Sequence, residues 1–489
     1  MLRLKFFSVA LLALFALSPC VRGAVPDLIL EGTVQGSQNH HDFAVPFRVP
    51  SGVHRISVDF SYTNQAERTV LNLGLADPLQ VRGWSGSNKS HVTLSETDAT
   101  PSYLPGSITE GEWKLLIGVS NIRSTQNSHY RAEIRFNDNT EDQSFTRTPL
   151  STDHRWYRGD LHMHTAHSDG SCISQSGRQV PCPLFFTVQT AATRGLDFIA
   201  ITDHNSDAHY SDMRELQPYF DRLLLIPGRE MTSFWGHFNI YGLTRFIDYR
   251  ATAGEGMTIN DILRQVRADG GIASINHPLS EGGEICRGCH WEPPMQIDFS
   301  LLTSVEIING GREMQQAMPF WNEHLAQGEH LTGVGGSDNH NALSAPGSTG
   351  SIGWPTTVVE ADELSVAAIL DGIRRGRVFV DLTASRDRVL DLEVVGAQAH
   401  ARMGESIEGS AQQQFEFTAL VSGCSGSSLQ WFFDGNPLST QKVDNANARL
   451  HTQWNGDGKR HWLYAEIQSA EGERMMVSNP VYIHADNPR

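Results

Sequence analysis

The chain is short of basic residues: 38 Lys and Arg stand against 55 Asp and Glu, a formal charge of −17 over 489 residues. A surface that acidic gains nothing from neutralising phosphates, which argues against a nucleic-acid binder. Low-complexity tracts, heptad runs and internal repeats are absent, and 39% of the residues are apolar. Disorder over most of the length is therefore excluded, as is a coiled coil. Beyond residue 23 no apolar run is long enough to cross a bilayer. Cysteine is scarce, with six in the whole chain, too few to define a compartment by themselves. A length of 489 residues is too great for one domain.

The apolar run that does exist is N-terminal. Arg3 and Lys5 precede a nearly unbroken stretch from Phe6 to Leu17, and Ser18-Pro-Cys-Val-Arg-Gly23 follows. This is the pattern of a secretory signal over residues 1–23, and the run is too short for a comfortable membrane anchor. Removing it, with Arg3, Lys5 and Arg22, takes the formal charge from −17 to about −20. A soluble protein exported to a bacterial periplasm is expected, with no membrane association after cleavage. Five cysteines remain. Cys172 and Cys182 flank a loop containing Gly, Ser and Pro, where an oxidising compartment permits a bridge. Cys286-Arg-Gly-Cys289-His290 matches the local pattern of covalent haem attachment, a short pattern easily met by chance; a loop disulfide is the plainer reading. Cys424 is left over.

Residues 24–150 read as a β-sandwich. Val53–Phe60 alternates apolar and polar positions, and Trp113–Val119 and Tyr130–Phe136 resemble further strands separated by turn-forming residues. From 153 to 387 apolar strands alternate with helical stretches at Phe185–Thr193, Ile259–Val266, Pro319–Ala326 and Leu364–Ile373. Such alternation implies parallel strands with crossover helices, here closed into a barrel. From 388 to 489 the helical period disappears, and Leu390–Val395, Phe415–Val421 and Trp462–Ile467 suggest a small second β-sandwich.

Nine ligand-type side chains lie in the middle region: His162, His164, Asp169, His204, Glu230, His237, His277, Asp338 and His340. Several stand where an apolar run stops, as in Phe198-Ile-Ala-Ile-Thr-Asp-His204, Leu223-Leu-Leu-Ile-Pro-Gly-Arg-Glu230 and Ile272-Ala-Ser-Ile-Asn-His277. A barrel of parallel strands gathers such ends onto one rim. His162 and His164, two apart on an extended segment, share a side and can grip one ion. Glu230 is the natural bridging carboxylate, although taken alone it reads as a loop residue paired with Arg229. His237 and His277, each taken alone, are more often structural. Asp203 and His204 form a buried polar pair that needs partners, and the Gly335-Gly336 approach to Asp338 lets backbone come close to the site. Imidazole with carboxylate suits Zn, Mn or Fe.

Asp160-Leu-His-Met-His-Thr with Ser168-Asp-Gly, Ile201-Thr-Asp-His, Pro227-Gly-Arg-Glu, Ile275-Asn-His-Pro and Ser337-Asp-Asn-His resemble the motifs of the polymerase-and-histidinol-phosphatase (PHP) superfamily over about residues 153–385. Exported members flanked by β domains are similar to the CehA/McbA-type metallohydrolases, which include carbaryl hydrolase. The resemblance implies a distorted (β/α)7 barrel holding two or three divalent ions. His162, His164, Glu230 and Asp338 would hold the first, Glu230, His237 and His277 the second, and Asp169, His204 and His340 the third. Asp169 stands where some relatives have His. His154, His167 and His209 match no role and read as solvated bystanders.

The expected activity is metal-dependent hydrolysis of a small molecule, with hydroxide shared by two cations attacking a phosphoester or a carbamate or ester carbonyl. Glu230 bridges, Asp338 is the candidate proton acceptor and His340 the candidate donor. No Arg- or Lys-dense cluster accompanies the ligand loops, so phosphate is not favoured over carbamate; Arg229 and Arg312 are the candidate anion contacts. Trp235, Trp291, Trp321 and Trp354 are candidates for an apolar cleft, with buried packing the commoner fate. The rival function is a catalytically inactive metal- or ligand-binding periplasmic protein. The sequence leaves the oligomeric state open.

Overall fold

The computed structural model describes residues 25–253, 255–310, 315–397 and 399–485. Residues 1–23, read from the sequence as a secretory signal, and Arg312 lie outside the described residues. The fold is mostly β, with few helices. No helix among the described residues is long and apolar enough to cross a membrane.

The first region stacks two antiparallel four-stranded sheets. One has the order Leu28–Gln35, Asn127–Phe136, Arg55–Tyr62, His91–Ser95; the other Asp42–Val49, Gly111–Asn121, Val70–Ala76, Val81–Gly86. Alternation puts Ile56, Val58, Leu73, Trp113, Leu115 and Ile117 between them, all with no solvent exposure. Each such burial is worth roughly 1.5–3 kcal/mol.

In the middle region the strands Arg155–Asp160, Phe198–Ile201, Leu224–Ser233, Ile272–Ile275, Ser304–Asn309 and Thr332–Gly336 run parallel. Their four- to six-residue apolar runs are buried on both faces, as a parallel sheet under helices requires. A regular (β/α)7 barrel is not evident. Gly236–Tyr241 returns as an antiparallel partner of both Leu224–Ser233 and Ile272–Ile275, because the chain turns back at Gly236, whose φ is +152°. Among the described residues five helices lie along this region: Leu184–Arg194, Tyr210–Leu216, Ile259–Ala268, Met318–Gln327 and Val366–Arg374. The third begins at Thr258, whose hydroxyl accepts from Asp261 N while the Asp261 carboxylate accepts from Thr258 N. It buries Ile259, Ile262, Leu263 and Val266, one helical face.

The sheet does not stop at the last middle strand. Thr356–Ala361 and Val378–Asp381 continue it into Arg474–Ser478, His461–Gln468, Ser428–Phe433 and Asn436–Lys442 of the C-terminal region. A second layer, His400–Arg402, Val389–Val395, Gln414–Ser422 and Asn447–Asn455, covers these strands, and the shared core runs from Val358 and Phe379 to Trp431 and Leu463. Asn479, buried at 1% exposure, fastens the regions. Its side chain accepts from Gly333 N at 2.7 Å and donates to the carbonyls of Gly333 and Val378 at 2.8 Å.

Charged groups fasten the first region to the middle one. Arg55, with no exposure, donates to Asp98 at 2.5 Å, to Asp142 at 2.6 Å and to the Thr244 hydroxyl at 2.8 Å. Arg214 reaches Asp98 and, at 2.9 Å, Glu141.

Candidate metal centre

The nine ligand-type residues come together. His162 and His164 lie just beyond Arg155–Asp160, His204 beyond Phe198–Ile201, His277 beyond Ile272–Ile275, and Asp338 and His340 beyond Thr332–Gly336. Glu230 and His237 stand inside the two arms of the Leu224–Ser233/Gly236–Tyr241 hairpin. Isolated parallel bridges, Met163 with Asn339 and His204 with Glu230, draw these strand ends onto one rim.

Glu230 is the hub. Its Oε1 lies 3.5 Å from His162 Nε2, 3.3 Å from His237 Nδ1 and 3.4 Å from His277 Nε2; its Oε2 lies 3.6 Å from His164 Nε2 and 2.7 Å from His204 Nδ1. Asp338 Oδ1 is 3.4 Å from His162 Nε2, 3.2 Å from His164 Nε2 and 3.6 Å from His340 Nδ1. Asp169 Oδ1 closes the open side, 3.3 Å from His340 Nε2, 3.6 Å from His204 Nε2 and 4.0 Å from His164 Nδ1. Asp169 and His340 are the exposed members, with 58% and 41% of their side chains accessible, and mark the mouth. Glu230, His162 and His164 have none.

Three buried acids that were not among the nine fix this geometry. Glu306 accepts from His162 Nδ1 at 2.7 Å and from His277 N at 3.0 Å, so His162 must present Nε2 to the pocket. Asp160 accepts from the backbone of His162, Ser337 and Gly353 at 2.7–3.2 Å, tying the first and last ligand segments. Asp203 accepts from Thr165 N and Oγ1 at 2.7 Å and from the Ser168 hydroxyl at 2.5 Å, which shapes the turn carrying Asp169. One signal for Glu306 was available: a lone acid inside the apolar run Ser304-Val-Glu-Ile-Ile-Asn309 must have a buried purpose.

Two of the ligand-type residues have left-handed backbone, His277 at φ +27° and Asp338 at φ +50°. Such conformations cost on the order of 1–3 kcal/mol and collect at functional sites. The approach to Asp338 also demands a residue without a side chain. A Cβ on Gly336 would stand 2.2 Å from Glu306 Oε1 and 2.6 Å from His162 Cβ.

Burial opposes ionisation of Glu230, yet His204, His162 and His237 hold its carboxyl well below the usual range. Asp338 is held low in the same way, by His162 and His164. Burial drives His164 down to about 4 against the pull of Asp338. His340 goes the other way: burial lowers it, but Asp169 and Asp338 carry it up to about 9. The carboxylates thus stay ionised and draw positive charge towards themselves. Among the described residues their ion pairs involve imidazoles alone, with no Lys or Arg.

This donor set fits divalent cations. His162 Nε2 is buried without a hydrogen-bond partner. Four overlapping groups have ligand atoms within 4.8 Å of one another: His164, Asp169, His204, His340; His162, His164, Glu230; His162, His277, Asp338; and His237, His277, Cys289. Cys289 was not anticipated as a ligand. It is bonded to Cys286, and Cys172 to Cys182, so the haem-attachment pattern is a loop disulfide here; Cys424 is free and buried.

Other expectations need correction. His209 is not solvated: it has no exposure, donates to Gly228 O at 3.1 Å and sits 3.6 Å from Asp203. His167 pairs with Asp212 at 3.0 Å, and His154 lies near Glu360 and Asp362. Arg229 is buried and directed at Ile247 O, Asp207 and the Phe246 ring, away from the ligands, so it neither contacts an anion in the pocket nor pairs with Glu230. Trp291 and Trp321 are buried in the core; Trp235 and Trp354 are half-buried.

No model of a known protein family matches the chain, and no curated protein matches it. Among solved structures it is similar to PsfC from Pseudomonas syringae, with 14% identity and a TM-score of 0.30, covering 45% of this chain and 88% of that one. It is also similar to a two-domain protein from Bacteroides vulgatus described as containing a predicted PHP-like metal-dependent phosphoesterase. That likeness has 17% identity and a TM-score of 0.37, and covers 66% of this chain and 95% of that one.

Proposed function

We propose that the protein is an exported, metal-dependent hydrolase of the PHP superfamily, related to its CehA/McbA-type branch and built on a distorted form of that barrel. It holds two or three divalent cations, Zn, Mn or Fe, and cleaves a phosphoester, carbamate or ester bond of a small molecule. One observation carries the reading: three carboxylates and six imidazoles converge on one pocket whose ion pairs, among the described residues, include no Lys or Arg. Such a pocket, among the described residues, has no permanent positive charge: its imidazoles are charged only while they hold a proton, and a metal ion can take the place of those protons.

His162, His164, Glu230 and Asp338 would hold the first cation, Glu230 with His237 and His277 the second, and Asp169, His204 and His340 the third. Cations held there polarise a substrate oxygen and lower the pKa of a water towards neutrality. The chain's own part is orientation and proton handling. Glu306 keeps His162 Nδ1 protonated and Nε2 free. Asp338 Oδ1, within 3.2 Å of His164 Nε2, is placed to accept a proton inside the pocket. His340, at the mouth, has Nδ1 turned to its neighbour's carbonyl, Asp338 O, at 2.9 Å, which leaves Nε2 facing Asp169 and solvent, where a leaving group departs.

The test is metal analysis of the purified protein, followed by assay of p-nitrophenyl phosphate beside 1-naphthyl N-methylcarbamate with Mn and Zn in turn. Stoichiometric metal with turnover of one substrate, lost to a chelator and restored by metal, is expected. Protein that binds no divalent ion would end the proposal.

A further inference from the structure

The loop from Leu279 to Glu292 is bound to the pocket more tightly than a surface loop needs to be. His237 donates from Nε2 to Arg287 O at 3.1 Å, and His277 from Nδ1 to Cys289 O at 3.3 Å. The loop backbone therefore sets the direction in which both imidazoles present their other nitrogen to Glu230. The loop is anchored at both ends, by Trp291 N to Pro278 O at 3.1 Å and Glu292 N to Trp235 O at 2.8 Å. Midway, Gly288 at φ +77° passes so close to the hairpin that a Cβ would stand 2.0 Å from Ser233 O. The disulfide Cys286–Cys289 closes this stretch, and Cys289 Sγ lies 4.0 Å from His237 Nδ1. His237, His277 and Cys289 are all buried, with ligand atoms within 4.8 Å of one another. Cys286 is only half-buried, whereas Cys289 is buried.

We infer that the Cys286–Cys289 disulfide is a redox guard on the metal centre: when it is reduced, the Cys289 sulfur joins His237 and His277 as a third ligand to the cation they share. The inference rests on the metal-dependent reading above. A dithiol reductant attacks the sulfur of Cys286, the less buried of the two residues; the S–S bond breaks and its electron pair leaves with Cys289 as thiolate. The second thiol of the reductant then displaces Cys286, forming the reductant's cyclic disulfide. Of the two protons released, one stays on Cys286 and the other goes to solvent, and the Cys289 thiolate is kept by the cation. Thiolate is a softer and stronger donor than the oxygen of water or substrate, so it occupies the position that a reacting oxygen needs. In an oxidising compartment the guard stays closed and the position stays open.

Cobalt(II) is the probe, because sulfur ligation adds a charge-transfer band in the near ultraviolet that nitrogen and oxygen ligands do not give. Oxidised wild-type protein loaded with cobalt should lack the band. Dithiothreitol-treated wild type should gain it, and Cys286→Ser should show it without any reductant. Cys289→Ser should lack it in both states, which also separates the effect from reduction of Cys172–Cys182. Turnover should fall in the band-bearing states, and in wild type should return on reoxidation. Cobalt bound stoichiometrically by both reduced wild type and C286S without the band would overturn the inference while leaving the metal-dependent function intact. Failure of oxidised wild type to bind cobalt at all would overturn both.

Discussion

Two of the buried charge clusters in this molecule are completed in opposite ways. At the junction of the first and middle regions, Asp98, Asp142 and Glu141 are met by the guanidinium groups of Arg55 and Arg214. Those charges are covalently part of the chain and permanent at any working pH. In the pocket, Asp169, Glu230 and Asp338 are met by six imidazoles. The first cluster is self-sufficient and serves assembly. The second has only titratable cations, so its charge is completed by protons or, on the proposed reading, by metal ions. Burial alone does not distinguish a structural charge cluster from a functional one; the chemistry of its cations does.

Removing a member from each cluster separates them most sharply. His162→Ala should abolish metal-dependent turnover and cut bound metal while leaving a soluble fold, read by metal content and circular dichroism; undiminished turnover would refute the ligand role. Asp98→Ala should do the reverse, because it strips a partner from two buried guanidinium groups. A loss of about 3–5 kcal/mol is expected by denaturant unfolding, with metal stoichiometry retained in the folded fraction. A subtler change is Glu306→Gln, which keeps shape but weakens the hold on His162. A 10- to 100-fold loss of metal affinity in a competition titration is expected, as for other outer partners of metal ligands. An unchanged affinity would make Glu306 merely a buried acid.

The smallest effect is a matter of pH. The Asp98 carboxyl is held below its ordinary 3.8, burial notwithstanding, by Arg214 and Arg55. Its contribution is complete above about 3.8 and fades as pH falls through the depressed value. His91 has the opposite sign. Burial lowers it, but hydrogen bonds to Asp59 and Glu141 raise it above 6.5. That contribution is complete below 6.5 and is lost as pH rises through the raised value. His91→Gln should therefore flatten the alkaline side of the stability profile and leave the acid side in place, as read by unfolding at a series of pH values.

Local patterning explains what the sequence made legible. The helices foreseen at Ile259–Val266 and Leu364–Ile373 are Ile259–Ala268 and Val366–Arg374, and the alternation in Val53–Phe60 reports the strand Arg55–Tyr62. Several ligand-type residues, among them His204, Glu230 and His277, were visible because they end an apolar run, where an ionisable group is out of place. What was missed depends on pairing between distant segments. The antiparallel return of Gly236–Tyr241 looks like another strand in a parallel series until Gly236 is seen to reverse the chain. The union of Val378–Asp381 with Arg474–Ser478 joins segments about a hundred residues apart, and no periodicity records it. Glu306 was passed over because a lone strand-borne acid carries no motif, and Asp160, which opens the first motif, because its partners are backbone N–H groups of distant segments. His209 was misjudged because its burial comes from packing against the strand that holds Gly228.

Asn479 gives the molecule a timetable. Its side chain holds both the N–H and the carbonyl of Gly333, in the strand that delivers Asp338 and His340. A chain emerging from the ribosome has all nine ligand-type residues more than a hundred residues before it has this fastener. The strand that delivers two of the nine therefore waits on a distant segment, and a chain cut short before residue 479 carries all nine ligand-type residues without this hold on Gly333.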